Sequence, residues 1–264
     1  MASDDSNDNI NRIARMFVDA RRSGRALADY PGEMPAALDT AYAVQDEALK
    51  LSGRTVAGWK VGRIHPPVEG SDRLAGPIFE DQVVIDRGTP IDMPVFVDGF
   101  AAAEAEFLLR VGTAPDPGRT SYTIDEAREL IDAVNIGIEI ASSPFPGIND
   151  YGPGVTISDF GNNNGLIVGA PIHRWREVDF GAWSVEISVA EERVGVGRSA
   201  AMLDGPFGAA RFLFELMAAR GIAVTPGQWI SSGAVTGVHP VLVGEPVTAT
   251  FDGRLTVGCR IMAL

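Results

Sequence analysis

The sequence predicts an α+β protein in which a small helical N-terminal part precedes a body of mixed and antiparallel sheet. Apolar residues recur at helical spacing in the first fifty residues, whereas after Gly53 short runs rich in Val, Ile and Phe alternate with Gly, Pro and Asp. The 30 glycines and 17 prolines are scattered along the 264 residues, as is typical of strands joined by turns. Helices and strands do not alternate regularly, which argues against a doubly wound sheet or a TIM barrel.

Two helices are predicted in the N-terminal helical segment, residues 1–53. The apolar face of the first consists of Ile10, Ile13, Ala14, Phe17 and Val18. The apolar face of the second consists of Ala41, Val44, Ala48 and Leu51. Pro31 and Gly32 separate the two helices. We expect residues 54–264 to form a second, sheet-containing unit.

Four segments of this unit have the composition of strands: Val56–Val61, Ala103–Val111, Val185–Ala190 and Val247–Phe251. After the last of them come Asp252 and Gly253, and then a strictly alternating apolar series: Leu255, Val257, Cys259 and Ile261. An Asp-Gly turn between two such runs predicts a β-hairpin.

Two further helices are predicted between the strands. Thr123 and Glu126 have the spacing of a capping box, and the apolar face that follows consists of Ala127, Leu130, Ile131 and Val134. Asp204 and Pro206 are placed to begin the second helix, which Gly221 ends.

Charge and composition exclude several classes of protein. The chain has 22 Lys and Arg against 35 Asp and Glu, a formal net charge of −13. A surface this acidic repels phosphate backbones and anionic lipids, so we expect no nucleic-acid or membrane partner. Cys259 is the one cysteine, which excludes an intramolecular disulfide and a cysteine-rich metal site. With no signal-peptide pattern at the start and no long apolar run, the expected location is cytoplasmic.

Three glutamates are candidate metal ligands. Glu104 and Glu106 lie two residues apart in the strand AAAEAEFLLRV, so both side chains leave the same face of the sheet. Glu139 lies in another apolar segment, IGIEIASS. A divalent cation such as Mg²⁺ or Mn²⁺ would relieve the repulsion between such carboxylates. The alternative is that all three are solvated on outward faces, although Glu139 has apolar neighbours and no nearby Lys or Arg.

Lys60, in the segment GWKVG, is the candidate catalytic residue. It either extends to the surface or is held in a site where burial or a nearby cation makes its proton easier to lose. The histidines form no metal-ligand spacing, and His65 is expected in a loop after Arg63. No nucleophile elbow is present, so the sequence does not support Ser–His–Asp hydrolysis.

Five motifs, in this order, resemble those of a known family: GWKVG (58–62), EAE (104–106), the segment around Glu139, TISDFGNNNG (156–165) and SSGAVTG (231–237). They are similar to the 2-hydroxypentadienoate hydratase group, which includes 2-oxo-hept-4-ene-dioate hydratase and 4-oxalocrotonate decarboxylase, within the fumarylacetoacetase-like superfamily. The AYAVQ stretch (41–45) also fits the N-terminal helices of this group. The resemblance covers nearly the whole chain.

The resemblance implies a fumarylacetoacetase-like mixed β-roll, with residues 54–264 as its catalytic part. It implies Mg²⁺ or Mn²⁺ held by Glu104, Glu106 and Glu139, with Lys60 in the site. It also implies that loops 156–165 and 231–237 form the pocket, and that subunits assemble into a homo-oligomer. The residues expected to bind substrate are Arg63, His65, Leu74, Asp159, Asn164 and Thr236.

At three places the chain departs from the family pattern. Arg73, Leu74, Ala75 and Gly76 stand where the family commonly has Pro-Asp-aromatic-Gly. Ser142, Ser143 and Pro144 stand where an Asp and an Arg often follow the third glutamate, and Ala234 replaces a common Ser. Some of the residues that transfer protons and bind substrate in the family are therefore different in this chain. Arg63 and His65 are candidates to take over their roles.

The reaction that the resemblance implies is hydration of an unsaturated 2-hydroxy or 2-oxo acid. In the family the metal chelates the carboxylate and 2-oxo oxygens, and Lys60 would carry a proton or hold the enolate oxygen. Decarboxylation of a vinylogous 2-oxo acid, C–C hydrolysis of a diketo acid, and a non-catalytic member that binds an oxo acid are the alternatives. The sequence leaves open the chain length and far group of the substrate, and the choice between the two metals.

Overall fold

The structure is a computed structural model that describes the backbone of residues 2–264 and the side chains of residues 6–264. Its α-helices are α1 (Ala2–Ser23), α2 (Leu38–Ser52), α3 (Ile124–Glu129), α4 (Pro153–Ser158) and α5 (Gly205–Ala219). Its strands are β1 (Val56–Val68), β2 (Ser71–Phe79), β3 (Val83–Ile85), β4 (Asp92–Val95), β5 (Phe100–Val111), β6 (Ile131–Ser143), β7 (Asn163–Pro171), β8 (Val185–Val189), β9 (Glu192–Gly197), β10 (Trp229–Ser231), β11 (His239–Pro240), β12 (Pro246–Phe251) and β13 (Leu255–Ala263). Among the described residues, no helix is both long and apolar enough to cross a membrane.

The strands form two sheets of mixed direction. In the eight-stranded sheet the order is β2-β1-β10-β5-β6-β7-β3, and β11 pairs with β5. In the five-stranded sheet the order is β4-β13-β12-β8-β9. Parallel pairs, such as β1 with β10, occur beside antiparallel ones such as β5 with β6. The predicted α+β class with a mixed sheet is confirmed.

The main hydrophobic core lies between the two sheets. Phe107 of β5 meets Phe251 of β12 edge to face, with ring centroids 5.2 Å apart. Both side chains are fully buried, as is most of the alternating inner face of β12. Because one face of β5 is packed into this core, the side chains on its other face are held in a fixed position.

The two N-terminal helices are confirmed, and they cover one side of the larger sheet. Ile13 and Phe17 of α1 and Val44 of α2 belong to one buried cluster with Phe79 and Phe160. The helices therefore pack against the loop that precedes β7.

The predicted hairpin after Phe251 is also confirmed. Strands β12 and β13 pair in antiparallel register, with Phe251 opposite Leu255. Asp252 and Gly253 have φ of 53° and 65° in the turn between them. Asp and Gly tolerate the left-handed region better than other residues, so the turn residues suit the geometry.

One predicted helix is much shorter than expected. The capping box of Thr123 and Glu126 is present, but α3 ends at Glu129. Ile131 and Val134, predicted on the helix, lie in β6 and pair with residues of β5. Their separation of three residues fits the helical period, but pairing of this segment with β5 satisfies its backbone hydrogen bonds as a strand. Tertiary pairing therefore overrides the local helical pattern.

Two further predictions concern the end of the first strand and the bounds of the last helix. The predicted strand Val56–Val61 extends to Val68, so His65 lies in β1 and the prediction of a loop there is wrong. The helix predicted from Asp204 to Gly221 is confirmed as α5, with Gly221 at φ 66° after its last turn.

Candidate active site

The three glutamates converge because of the pairing between β5 and β6. Glu104 lies directly opposite Glu139 in the antiparallel register, and Glu106 follows on the same face of β5. Each of the three offers a carboxylate oxygen, and these oxygens all lie within 4.8 Å of one another. Glu106 and Glu139 are 0% exposed and Glu104 is 5% exposed. The alternative of three solvated carboxylates is therefore wrong.

Burial disfavours ionisation of Glu104 and Glu106 and so raises their pKa values. The pKa of Glu104 is raised to about 7, because burial raises it most, the charge of Lys60 lowers it and the charge of Glu139 raises it. Burial, together with repulsion from Glu139 and Glu104, raises the pKa of Glu106 well above its ordinary value. Charged carboxylates packed this closely need a compensating positive charge.

The hydrogen bonds of the cluster leave room for such a charge. Glu106 Oε2 accepts hydrogen bonds from the Ser231 hydroxyl at 2.5 Å and the Gly233 amide at 2.9 Å. Glu139 Oε1 accepts one from Asn163 Nδ2 at 2.9 Å. Glu106 Oε1 and Glu139 Oε2 are buried without a hydrogen-bond partner among the described residues. Oxygens of this kind suit Mg²⁺ or Mn²⁺, so the residues present fit a divalent cation.

Gly233 is required by the turn that holds Glu106. Its φ is 104°, a conformation that side chains rarely adopt, and a Cβ there would lie 3.1 Å from the carbonyl oxygen of Val61. This backbone conformation directs the Gly233 amide at Glu106. The SSGAVTG motif thus supports the carboxylate cluster through Ser231 and Gly233.

Lys60 is held inside the site and does not extend to the surface. Its Nζ lies 3.5 Å from Glu139 Oε1 and donates a hydrogen bond to Asn162 Oδ1 at 3.2 Å, and its side chain is only 6% exposed. Burial by itself lowers the pKa of Lys60, but attraction by the three carboxylates, Glu139 most strongly, outweighs it and the pKa is raised. Lys60 is therefore an ammonium in the cation-free site, contrary to the expectation that burial eases the loss of its proton.

A strained turn positions the side chain of Asn162. Phe160, Gly161 and Asn162 have consecutive φ values of 54°, 63° and 58°. Non-glycine residues adopt this region at a cost of about 1–3 kcal/mol each, and such strain clusters at functional sites. Gly76 of β2 lies so close to this turn that a Cβ there would be 2.1 Å from the Phe160 carbonyl oxygen.

Arg21 of α1 anchors this turn, and the sequence alone did not indicate it. Its guanidinium donates to both carboxylate oxygens of Asp159, at 2.5 and 2.8 Å. It also donates to the carbonyl oxygens of Asn163 and Ser142, each at 3.1 Å. One signal was available, because Arg21 follows Phe17 by four residues and so continues the apolar face of α1.

A cavity of about 1020 Å³ opens above the cluster. Lys60 and Glu104 lie in its wall, as do Arg63, His65 and Leu74 among the residues expected to bind substrate. The segment expected as a loop over residues 156–165 begins in α4 and ends in β7, and Thr156 and Asn162 of it line the cavity. The second expected loop contributes Ser232, Gly233, Ala234, Val235 and Gly237. Glu106 and Glu139 are fully buried and do not line the cavity.

Three residues expected to bind substrate lie outside the lining. Asp159 is 0% exposed and is bound by Arg21. The side-chain amide of Asn164 donates to the carbonyl oxygen of Pro94 at 2.7 Å. Thr236 Oγ1 contacts His239 Nε2 at 3.3 Å. The structure thus gives Asp159, Asn164 and Thr236 protein partners away from the cavity.

The family departures have local structural explanations. Leu74 packs in a small apolar cluster with Ile64 and Ile157 at the cavity wall. The Ser142 hydroxyl donates to the Phe100 carbonyl oxygen at 2.6 Å. The Ser143 hydroxyl accepts from the Phe145 amide at 3.1 Å. Both serines therefore stabilise the end of β6.

Comparison with known proteins gives relatives along nearly the whole chain, although no family model matches it. The chain is 29% identical over 248 residues to a 4-oxalocrotonate decarboxylase of Pseudomonas sp., which covers 90% of this chain and 92% of the relative. It is 27% identical over 251 residues to 2-keto-4-pentenoate hydratase 1 of Dechloromonas aromatica (strain RCB), covering 91% and 92%.

Solved structures share the fold. The 4-oxalocrotonate decarboxylase from Pseudomonas putida G7, complexed with magnesium and adipate, superposes with a TM-score of 0.80 at 22% identity, covering 97% of this chain and 98% of that one. The fumarylpyruvate hydrolase from Pseudomonas aeruginosa, in complex with Mn²⁺ and pyruvate, has a TM-score of 0.61 at 14% identity, covering 80% and 91%. The predicted fumarylacetoacetase-like fold is confirmed.

Proposed function

We propose that this chain hydrates an unsaturated 2-hydroxy or 2-oxo acid with the help of a divalent cation. It is a divergent member of the fumarylacetoacetase-like group of 2-keto-4-pentenoate hydratases and 4-oxalocrotonate decarboxylases. One observation carries the proposal. Three buried glutamates, two of them with an oxygen that lacks a partner among the described residues, meet Lys60 at the inner end of a cavity that can hold a small acid.

Glu104, Glu106 and Glu139 would hold the cation, as Mg²⁺ or Mn²⁺. The neighbouring structures that contain magnesium or Mn²⁺ support this assignment. When bound, the cation supplies a Lewis acid for the oxygens of an oxo acid. Ser231 and Gly233 fix one oxygen of Glu106, so its other oxygen is oriented for the cation.

Lys60 is the proton carrier of the proposal. Its ammonium is positioned by Glu139 and Asn162, and its side chain lines the cavity. Ketonisation of a dienol removes the proton of its 2-hydroxyl group and adds one at the far carbon. Hydration then adds the hydroxyl group of water to one carbon of the remaining double bond, while the proton that water loses is made up by protonation of the other carbon. Asn162 also donates to Asn149 Oδ1 at 3.1 Å, and both amides line the cavity, so they can orient a water beside Lys60.

Decarboxylation of a vinylogous 2-oxo acid is the second candidate, and the departures favour it. Leu74 and Ala234 line the cavity where the family commonly has polar residues, and loss of CO₂ requires no delivered water. Hydrolysis of a diketo acid and a non-catalytic oxo-acid binder remain further alternatives. A cytoplasmic location and a homo-oligomer stay predictions.

A substrate panel tests the proposal. The purified protein, treated with EDTA and then given Mg²⁺, Mn²⁺ or no metal, is incubated with 2-hydroxypenta-2,4-dienoate, 4-oxalocrotonate and an acylpyruvate, and products are followed by proton NMR. We expect metal-dependent hydration of the dienoate. Release of CO₂ without hydration would establish the second candidate, and cleavage of the acylpyruvate the hydrolase. Binding without turnover of any substrate would indicate the non-catalytic member.

Lys60→Met is expected to lower kcat by about 10² or more, the usual scale for a positioned proton-transfer group. Methionine keeps the apolar stem but removes the ammonium, so affinity for Mn²⁺ should be largely retained. The assay is turnover of the best substrate of the panel beside a Mn²⁺ titration. Lys50→Met is the matched control, because Lys50 is the other lysine of the chain and is 73% exposed. Near-normal turnover of the Lys60 variant would remove Lys60 from the mechanism.

A further inference from the structure

Beside Lys60, the floor of the cavity is formed by Gly62 and Leu74. Lys60 and Gly62 are two residues apart in β1, so they share one face of the sheet, and Leu74 of β2 lies directly opposite Gly62 on that face. All three residues line the cavity. Gly62 and Leu74 therefore decide which ligand groups can lie next to the ammonium of Lys60.

The space above Gly62 is bounded by the side chains of Leu74 and Lys60. A Cβ on Gly62 would lie 3.4 Å from Leu74 Cδ1 and 3.6 Å from Lys60 Nζ. These are ordinary van der Waals distances, so a carbon atom placed there would contact both groups. Because the residue is a glycine, this space is left to a ligand.

The neighbouring position across the strand pair is closed. Gly76 of β2 lies opposite Lys60, and a Cβ on Gly76 would lie 2.1 Å from the Phe160 carbonyl oxygen. The backbone of the strained turn thus covers that position. A ligand that meets the glutamates and extends past Lys60 therefore continues over Gly62 towards Leu74.

The wall that such a ligand reaches is apolar and fixed. Leu74 and Ile64 both line the cavity, and each is 5% exposed. They belong to one buried cluster, whose other members are Leu38, Ala41, Tyr42 and Ile157. These members lie on α2 and α4, so the wall is packed from behind by two helices. Its side chains offer neither charge nor hydrogen bonds to a ligand.

The arginines of the same two strands lie on the other face of the sheet. Arg63 and Arg73 pair with each other, so their side chains alternate with those of Gly62 and Leu74. A carboxylate placed against Leu74 would therefore have no arginine partner from β1 or β2. Burying a charge without a partner is costly, so this part of the cavity favours an uncharged group.

We propose that Gly62 and Leu74 form an apolar subsite, and that the substrate has an uncharged chain of at least two carbons beyond the carbon that Lys60 protonates. The inference rests on the proposed function, which places the acid end at the glutamates and the far carbon beside Lys60. Such an acid is longer than 2-keto-4-pentenoate and lacks the second carboxylate of 4-oxalocrotonate. The cavity of about 1020 Å³ has room for it.

The test compares ligands that share the acid end and differ in the chain. Binding of 2-oxopentanoate, 2-oxoheptanoate and 2-oxoadipate to the Mg²⁺-loaded protein is measured by titration calorimetry. Burial of two more methylene groups should make 2-oxoheptanoate bind about tenfold more tightly than 2-oxopentanoate. The dicarboxylate 2-oxoadipate should bind more weakly than 2-oxoheptanoate, because its second carboxylate would meet the apolar wall.

Two variants assign the preference for the longer chain to the subsite. Leu74→Asn removes the apolar wall, and Gly62→Ala places a methyl group where the chain would lie, at ordinary contact distances from both neighbours. Each should reduce the preference by about threefold or more, since at least one methylene group loses its apolar contact. Leu242→Asn and Gly118→Ala are the matched controls, because both positions are exposed and lie outside the lining of the cavity. They should retain the wild-type preference.

The outcomes separate this inference from the proposed function. Equal affinity for 2-oxopentanoate and 2-oxoheptanoate, or tightest binding of 2-oxoadipate, would overturn the apolar subsite while leaving the metal-dependent oxo acid site intact. A full preference in the folded Leu74→Asn and Gly62→Ala proteins would overturn its assignment to these residues. If none of the three ligands binds with Mg²⁺ or Mn²⁺ present, the proposed function itself fails, and the inference fails with it.

Discussion

Arg21→Met is expected to lower the free energy of unfolding by about 3–5 kcal/mol, the usual effect of removing one partner of a buried ion pair. Asp159 is 0% exposed, and both of its carboxylate oxygens accept from Arg21. The substitution would leave that charge buried, and the carbonyl oxygens of Asn163 and Ser142 would lose a donor. Urea unfolding followed by circular dichroism measures the change.

Two controls distinguish this pair from a general effect on α1. Arg22→Met alters the adjacent residue, whose guanidinium makes an exposed hydrogen bond to the Leu51 carbonyl oxygen, and should cost much less stability. Adding Asp159→Asn to Arg21→Met should restore part of the loss, because the uncompensated charge is removed. A loss below about 1 kcal/mol in Arg21→Met would contradict the role of this ion pair.

Glu106→Gln is expected to abolish tight Mn²⁺ binding while the fold is retained. The amide oxygen of glutamine can accept from Ser231 and Gly233, but a neutral side chain that presents its nitrogen to the cluster is a poor ligand for a hard cation. Titration calorimetry with Mn²⁺ measures the loss, and Glu80→Gln at an exposed site is the matched control. Unchanged Mn²⁺ affinity in the Glu106 variant would remove Glu106 from the ligands.

The same variant should change the pH dependence of stability in EDTA. In the folded state the pKa of Glu104 is about 7 and that of Glu106 is well above its ordinary value of 4.5. The folded protein therefore holds protons that the unfolded chain releases, and stability falls as pH rises from about 4.5 through these pKa values. Glu106→Gln removes one such group, so its Tm should decline less steeply between pH 5 and pH 8. A wild-type Tm in EDTA that is flat over this range would contradict the expectation.

The sequence by itself determined the features that depend on local periodicity and residue chemistry. Glu104 and Glu106 share a face because side chains of a strand alternate with a period of two. The hairpin after Phe251 and the capping box at Thr123 also depend on residues close in the chain, and the structure contains both. The resemblance to a known family, which rests on five motifs in order, predicted the fold.

Only the tertiary structure decided which distant residues meet and how deeply they are buried. Strand register brings Glu139 opposite Glu104, and Arg63 opposite Arg73. Packing of α1 places Arg21 on Asp159, 138 residues away in the chain. Burial and pKa depend on all the atoms that surround a group, and most of those atoms belong to residues far away in sequence. For the same reason the sequence pattern predicts a helix through Ile131, whereas pairing with β5 makes that segment a strand.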